Sequence, residues 1–284
     1  MAWAKQIVHW REGGALHVSV PFTWMLPTAR LYCASMSGKE PVRVGGPAVD
    51  LMPGYLAGCG AEVGGAVVAL PHHNPDATFT TRGCIRQCPF CAVPIIEGEF
   101  RELEDWIPSP IVCDNNFLAA SKKHFHRVID RMKPYKGVDF NQGLAVRLLK
   151  DWHLERLTEL HLVRIRFAWD WVSMESVVMD AIDRTLAAGI PKKRISVYCL
   201  FGHQDTPADA LYRLETLRTK GIRANPMRYQ PIGPPEPGQP DCRLKEDSYV
   251  GPSWTSAELK KMMRYWSRQN WFSRVPYAEF NNGG

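Results

Sequence analysis

From about residue 77 the hydrophobic positions alternate between short runs and stripes of helical period. The runs 77–82, 110–114, 138–142, 162–169, 194–201 and 223–231 have strand length, with β-branched and aromatic residues enriched. Between them, 119–132, 145–160, 174–188 and 207–220 carry apolar residues at helical spacing. The last of these is the best marked. Thr206 can cap it, Pro207 suits its first turn, Leu211, Leu214 and Leu217 form its stripe, and Gly221 can end it. Ser173 is the expected cap of 174–188, with Gly189 and Pro191 as its stop. Strands separated by helices at this spacing predict an α/β fold, a parallel sheet joined by right-handed crossovers. Six units are fewer than a closed eightfold barrel needs, so a partial barrel and an open doubly wound sheet both satisfy the pattern.

The flanks read differently. Residues 1–76 are punctuated by glycine and proline, as in Val44-Gly45-Gly46-Pro47 and Pro53-Gly54, with apolar runs at 17–20, 42–44 and 66–70. This predicts a small N-terminal α/β lobe. Pro231, Pro234, Pro235, Pro237 and Pro240 forbid both helix and sheet interior after the sixth strand, which predicts a loop or lid. Thr255 and Glu258 are spaced as a capping box for a final helix, with Leu259, Met262, Met263 and Trp266 as its apolar face. The expected division is therefore 1–76, 77–231 and 232–284.

The composition, 45% hydrophobic and 23% charged over 284 residues, is that of a folded chain. No apolar run nears the roughly 20 residues of a membrane span, and the N-terminus lacks a basic-then-apolar leader. A cytoplasmic protein without membrane contact is expected. Lysine and arginine outnumber the acids 35 to 29, and residues 1–76 balance at five of each, so the whole excess lies downstream. Lys260, Arg264 and Arg268 recur at i, i+4 and i+8, with Lys261 alongside. Beside Tyr265, Trp266 and Trp271, this stripe could grip phosphates and stack on bases, or be only a solvated face.

Eight cysteines in such a chain argue against a disulfide framework. Five are scattered (Cys33, Cys59, Cys113, Cys199, Cys242), but Cys84, Cys88 and Cys91 form a C-x3-C-x2-C run just after the first strand. In parallel α/β folds that end of a strand carries the chemistry. Structural zinc wants four ligands, usually two separated pairs, and no second pair is present; a fourth ligand from elsewhere would be needed. A [4Fe–4S] cube on three thiolates leaves one iron open to a small molecule.

The phrase Thr81-Arg82-Gly83-Cys84, continuing to Cys88-Pro89-Phe90-Cys91-Ala92-Val93-Pro94, resembles the radical S-adenosylmethionine superfamily. Within it, the phrase looks most like the branch of the methylthiotransferases, Elongator-type enzymes and cobalamin-binding radical enzymes. The resemblance covers about 77–231 and implies a partial (β/α)6 barrel, TIM-like, with the cluster on Cys84, Cys88 and Cys91. It implies S-adenosylmethionine on the fourth iron, cleaved by one electron to a 5′-deoxyadenosyl radical that takes hydrogen from a substrate. A flavodoxin- or ferredoxin-type protein would supply the electron.

By the same resemblance Phe90, Asp114, Asn115, Asn116, Gln142, Arg166, Asp170 and Gly202 fall where the family contacts S-adenosylmethionine. The stretch from Val42 to Pro53 resembles the late part of cobalamin-binding domains. The lobe is about half the usual length and lacks the Asp-x-His-x-x-Gly motif, so no cobalamin is expected. The second cluster domain and RNA-binding module of methylthiotransferases are not visible. The expected function is a radical enzyme acting on a nucleotide or nucleic acid. The alternatives are radical modification of a peptide or small metabolite, or a non-catalytic, metal-stabilised nucleic-acid-binding protein.

Overall fold

The computed structural model describes residues 4–64, 69–268 and 275–280. The chain forms two compact units, one of residues 1–114 with 230–248 and one of 115–229 with 249–284. These do not coincide with the divisions at 76/77 and 231/232.

In the first unit, β1 (Val8–Glu12) and β2 (Ala15–Ser19) form an antiparallel hairpin over Gly13 and Gly14. Both glycines have positive φ (58° and 75°), as a two-residue turn that matches strand twist requires. The helix α1 (Leu26–Ser37) then leads to β3 (Val42–Gly45), which lies parallel to β2, and β4 (Glu62–Val63) lies parallel to β3. Leu16, Val18, Leu26, Ala29, Val42, Val44 and Leu56 bury their side chains in one core. The short helix α2 (Pro47–Leu51) follows Gly46 directly. Of the apolar run at 66–70, residues 66–68 lie outside the described residues, and Leu70 opens a one-turn helix, α3 (Leu70–His73). β1 escapes a hydrophobicity reading because three of its five residues are charged or histidine.

The strand expected at 77–82 is two strands. β5 (Ala77–Thr78) and β6 (Thr81–Arg82) part company because they pair differently. β6 pairs antiparallel with β7 (Arg101–Glu102), beyond the one-turn helix α4 (Val93–Ile96), and β5 pairs parallel with β8 (Ile111–Val112). The proline-rich segment holds neither helix nor strand apart from a single turn, Cys242–Leu244, whose Leu244 packs on the core of this unit.

The second unit carries β9 (Val138–Phe140), β10 (Leu162–Ala168), β11 (Ile195–Phe201) and β12 (Arg223–Arg228), all parallel. Its helices are α5 (Lys122–Met132), α6 (Asp151–Thr158), α7 (Glu175–Ala187), α8 (Pro207–Lys220) and α9 (Ser256–Ser267). Apart from β2–β4, the strands in parallel pairing are β5 and β8 of the first unit and β9–β12 of the second, six in all, the number the pattern predicts, in an α/β fold.

Local signals explain most boundaries. Thr206 and Asp209 cap α8 reciprocally, Gly221 ends it in the left-handed conformation, and Thr255 and Glu258 cap α9 the same way. Ser173 is not the cap of α7. A tight turn, Val172–Met174, precedes the helix, and Met174 stands at its cap without a side-chain bond. The helix expected over 145–160 is broken by extended Leu149 and Lys150, leaving a turn at Val146–Leu148 before α6. On α8 the buried residues are Ala210, Arg213, Leu214 and Leu217, so an arginine takes the place expected for Leu211. On α9 Tyr265, not Met263, joins Leu259, Met262 and Trp266 inside. Among the described residues no helix is long and apolar enough to cross a membrane.

Candidate cofactor site

The cysteine loop leaves β6 through Gly83, whose φ is +73°. A Cβ there would lie 2.2 Å from the Glu99 carbonyl oxygen, so the loop base admits only glycine. The Gly83 N–H donates to Glu97 Oε2 at 2.8 Å, and Arg82 Nε meets the same oxygen at 3.1 Å. The Arg82 guanidinium stands 4.0 Å above the Phe79 ring. Burial lowers the Arg82 pKa, and Glu97 works against that shift.

Within the loop, the Arg86 N–H donates to Cys84 Sγ at 3.4 Å, and the Cys91 N–H to the Cys88 carbonyl at 3.0 Å. Cys84, Cys88, Phe90 and Cys91 are all partly exposed. All eight cysteines are described, and none is in a disulfide. Among the described residues no three His, Cys, Asp or Glu side chains converge on one ion position. Three reachable thiols on one anchored loop have a donor chemistry that fits a [4Fe–4S] cube, which takes each thiolate on a different iron.

Asp114, just beyond β8, is buried and already engaged. Its carboxylate accepts from the Thr80 N–H (2.6 Å), the Thr81 N–H (3.0 Å) and the Thr80 hydroxyl. Burial pushes its pKa up to about 6, while these donors pull the other way. It therefore ties the backbone entering the cysteine loop to the end of β8. Asn115 is partly buried, and its Nδ2 is a buried donor that bonds to nothing among the described residues. Asn116 is fully buried.

In the second unit, Gln142 follows β9 and Asp170 follows β10, both partly buried, and Gly202 follows β11. All three lie past strand C-terminal ends. Arg166 instead lies within β10. It grips the Asp139 carboxylate through both terminal nitrogens, Nη2 to Oδ2 at 3.0 Å, and donates from Nη1 to the Phe140 carbonyl at 2.8 Å. Gly202 has φ +85°, and its N–H donates to Asp205 Oδ1 at 2.9 Å. A Cβ on it would approach Leu259 to 2.9 Å.

Thr80, Glu97, Asp205 and Arg213 shape these loops without having been read as site residues. For Asp205 and Arg213 the sequence signal is an acid and a base eight apart across Thr206-Pro207, which local capping masks. On α9, Lys260, Arg264 and Arg268 are exposed. Tyr265 and Trp266 are buried, so they offer no face for stacking on bases, and Trp271 lies outside the described residues.

No family model matches the chain, and no curated protein matches it. Among solved structures, the α/β fold is similar to that of a radical S-adenosylmethionine methyltransferase. That protein is TsrM from Kitasatospora setae, with cobalamin and a [4Fe–4S] cluster bound; the TM-score is 0.57 at 10% identity. The similarity covers 78% of this chain, and this chain spans 65% of that one. Residues 77–284 make up less than that share of the chain, so the likeness reaches into the lobe. The expectation of no cobalamin is thereby overturned. That protein has cobalamin bound, whereas the lobe of this chain lacks Asp-x-His-x-x-Gly.

Proposed function

We propose that this chain is a radical S-adenosylmethionine enzyme with Cys84, Cys88 and Cys91 as ligands of one [4Fe–4S] cluster. The observation that carries the reading is the C-x3-C-x2-C loop, anchored through Gly83 and Glu97 directly after a strand of this α/β fold. When bound, the cluster would supply reductive cleavage of S-adenosylmethionine, and so an oxidising radical able to take hydrogen from a substrate.

The chain's own residues then have these tasks. The Arg86 N–H bonds to Cys84 Sγ and would, with the cluster bound, draw charge from that sulfur and favour the reduced state. Asp114 holds the loop's entry through Thr80 and Thr81. Phe90, Asn115, Asn116, Gln142, Asp170 and Gly202 are the residues assigned to S-adenosylmethionine, Asn115 Nδ2 being the donor with unspent capacity. Arg166, assigned to the same role, is held by Asp139. Residues 77–231 are assigned to a partial barrel, and a flavodoxin- or ferredoxin-type protein to electron delivery. A corrinoid enters as a second cofactor, with methyl transfer as the reaction it would serve, because the likeness to a cobalamin-bound methyltransferase extends into the lobe.

The test is anaerobic reconstitution with iron and sulfide, with and without a cobalamin. About four irons per chain, and 5′-deoxyadenosine or a methylated product on adding S-adenosylmethionine and reductant, is the expected result. A colourless protein holding one zinc overturns the reading. Cys88→Ala should lose cluster and turnover together.

A further inference from the structure

One face of the second unit's sheet is apolar and the other is cationic. Ile165, Phe167, Val197 and Cys199 are buried on the first. Alternation places Arg164, Arg166, Ser196, Tyr198, Arg223 and Asn225 on the second. The register aligns them in rows, with Arg166 beside Ser196 and Ser196 beside Arg223, and with Tyr198 beside Asn225 above.

The charges in this row do not cancel. Arg166 is matched by Asp139, which it holds through two bonds. The ionisable groups that bear on Arg164 are Arg223, Arg166, Asp139 and Tyr198, so the single carboxylate among them is already spoken for. Burial, then Arg223, lowers the Arg164 pKa. Two polar atoms of the row are also buried without a hydrogen-bond partner among the described residues: Arg164 Nε and the hydroxyl of fully buried Ser196. Folding alone would favour an apolar residue at each position, because a buried polar group without a partner is destabilising. Arg223 stands beside Ser196 in register, and Arg164, two residues before Arg166 on the same face of β10 and opposite the already engaged Asp139, feels the Arg223 charge. Two guanidinium groups and an idle hydroxyl on one face have the chemistry of an oxyanion site, since the guanidinium fork matches carboxylate and phosphate oxygens.

We propose that Arg164, Ser196 and Arg223 form a binding site for an oxyanion, carboxylate or phosphate, on the polar face of β10–β12. Arg164, Ser196 and Arg223 stand toward the N-terminal ends of β10, β11 and β12, opposite the ends that Asp170 and Gly202 follow, so the site is distinct from the candidate cofactor site. The binding itself needs no cluster and no S-adenosylmethionine.

The test titrates the purified full chain with inorganic phosphate and, separately, with succinate, at ionic strength held constant with sodium chloride. Melting temperature and calorimetric heat are the readouts. Saturable binding of one or both anions is expected, weakened about tenfold or more in Arg164→Gln and in Arg223→Gln. Arg223 is exposed, so its substitution leaves the fold intact, and Lys39→Gln, on the exposed stretch between α1 and β3, should bind as the parent does. Tighter phosphate binding identifies a phosphorylated ligand, and tighter succinate binding a carboxylate. A response no larger than that to chloride, or one unchanged in both arginine variants, overturns the site. Cys88→Ala protein should still bind the anion, so failure of the radical chemistry and failure of this site are read separately.

Discussion

Arg213 Nη2 lies 2.5 Å from Asp205 Oδ2, and both side chains are buried, the arginine completely. The rest of the guanidinium is spent on backbone. Nη1 donates to the carbonyls of Trp169 and Asp170 at 2.8 Å and of Leu200 at 2.9 Å, and Nε to that of Asp209 at 3.2 Å. Asp205 Oδ1 in turn accepts from the Gly202 N–H at 2.9 Å and from Trp254 Nε1 at 3.2 Å. One pair thus fixes the ends of β10 and β11, where Asp170 and Gly202 stand.

Removing one member of such a pair leaves a buried charge uncompensated. Asp205→Asn is expected to lower stability by about 3–5 kcal/mol, measured by urea unfolding. A change below about 1 kcal/mol would mean that the backbone carbonyls alone satisfy Arg213.

Gly83→Ala sets a Cβ against the Glu99 carbonyl in a backbone region where side chains are strained. Reconstituted iron per chain should fall well below the parent value, with the far-ultraviolet circular dichroism of the rest of the fold retained. Gly238→Ala, in the open proline-rich loop with nothing within 4 Å, is the control for a positive-φ glycine away from the cysteines.

The thiols should divide by exposure. Burial pushes Cys33 up to about 11 and Cys199 up to about 12, and Cys59 and Cys113 are buried too. In iron-free native protein at pH 8, iodoacetamide should modify Cys84, Cys88, Cys91 and partly exposed Cys242 first. Loading the cluster should then protect the first three and leave Cys242 reactive, as peptide mass mapping would record.

Stability should respond to acid with two opposite signs. His73 and His153 are lowered to about 4, chiefly by burial, and each Nδ1 accepts a backbone N–H, from Ala4 and Lys150 respectively. Their contribution is complete above the ordinary value near 6.5 and is lost as pH falls toward 4. Asp114, raised to about 6, does the reverse: its contribution is complete below 3.8 and is lost as pH rises through 6. The stability of the parent relative to Asp114→Asn should therefore shrink between pH 4 and pH 7 in urea titrations. A difference that grows over that range would mean that the Thr80 and Thr81 donors outweigh burial.

The exposed Lys260, Arg264 and Arg268 carry the nucleic-acid proposal alone, without stacking from Tyr265 or Trp266. Charge reversal of all three should abolish any salt-dependent binding of single-stranded RNA while leaving the melting temperature within a few degrees. Unchanged binding would remove nucleic acid from the expected partners.

What the chain determines by itself is what a few adjacent residues can determine. The spacing of Cys84, Cys88 and Cys91, the caps at Thr206 and Thr255, the stop at Gly221 and the six-strand pattern are all local, so composition and periodicity suffice to read them. Tertiary structure decided the division of 77–82 into two strands, because β6 is drawn to β7 and β5 to β8. It also decided that Asp114 is occupied by Thr80 and Thr81, that Arg213 rather than Leu211 lies inside α8, and that Arg166, Ser196 and Arg223 share a row. Each of these depends on partners from 8 to 44 residues away. The free energy of a buried charge or a strand pair is set by the group it meets, and no pattern confined to its own segment records which group that is.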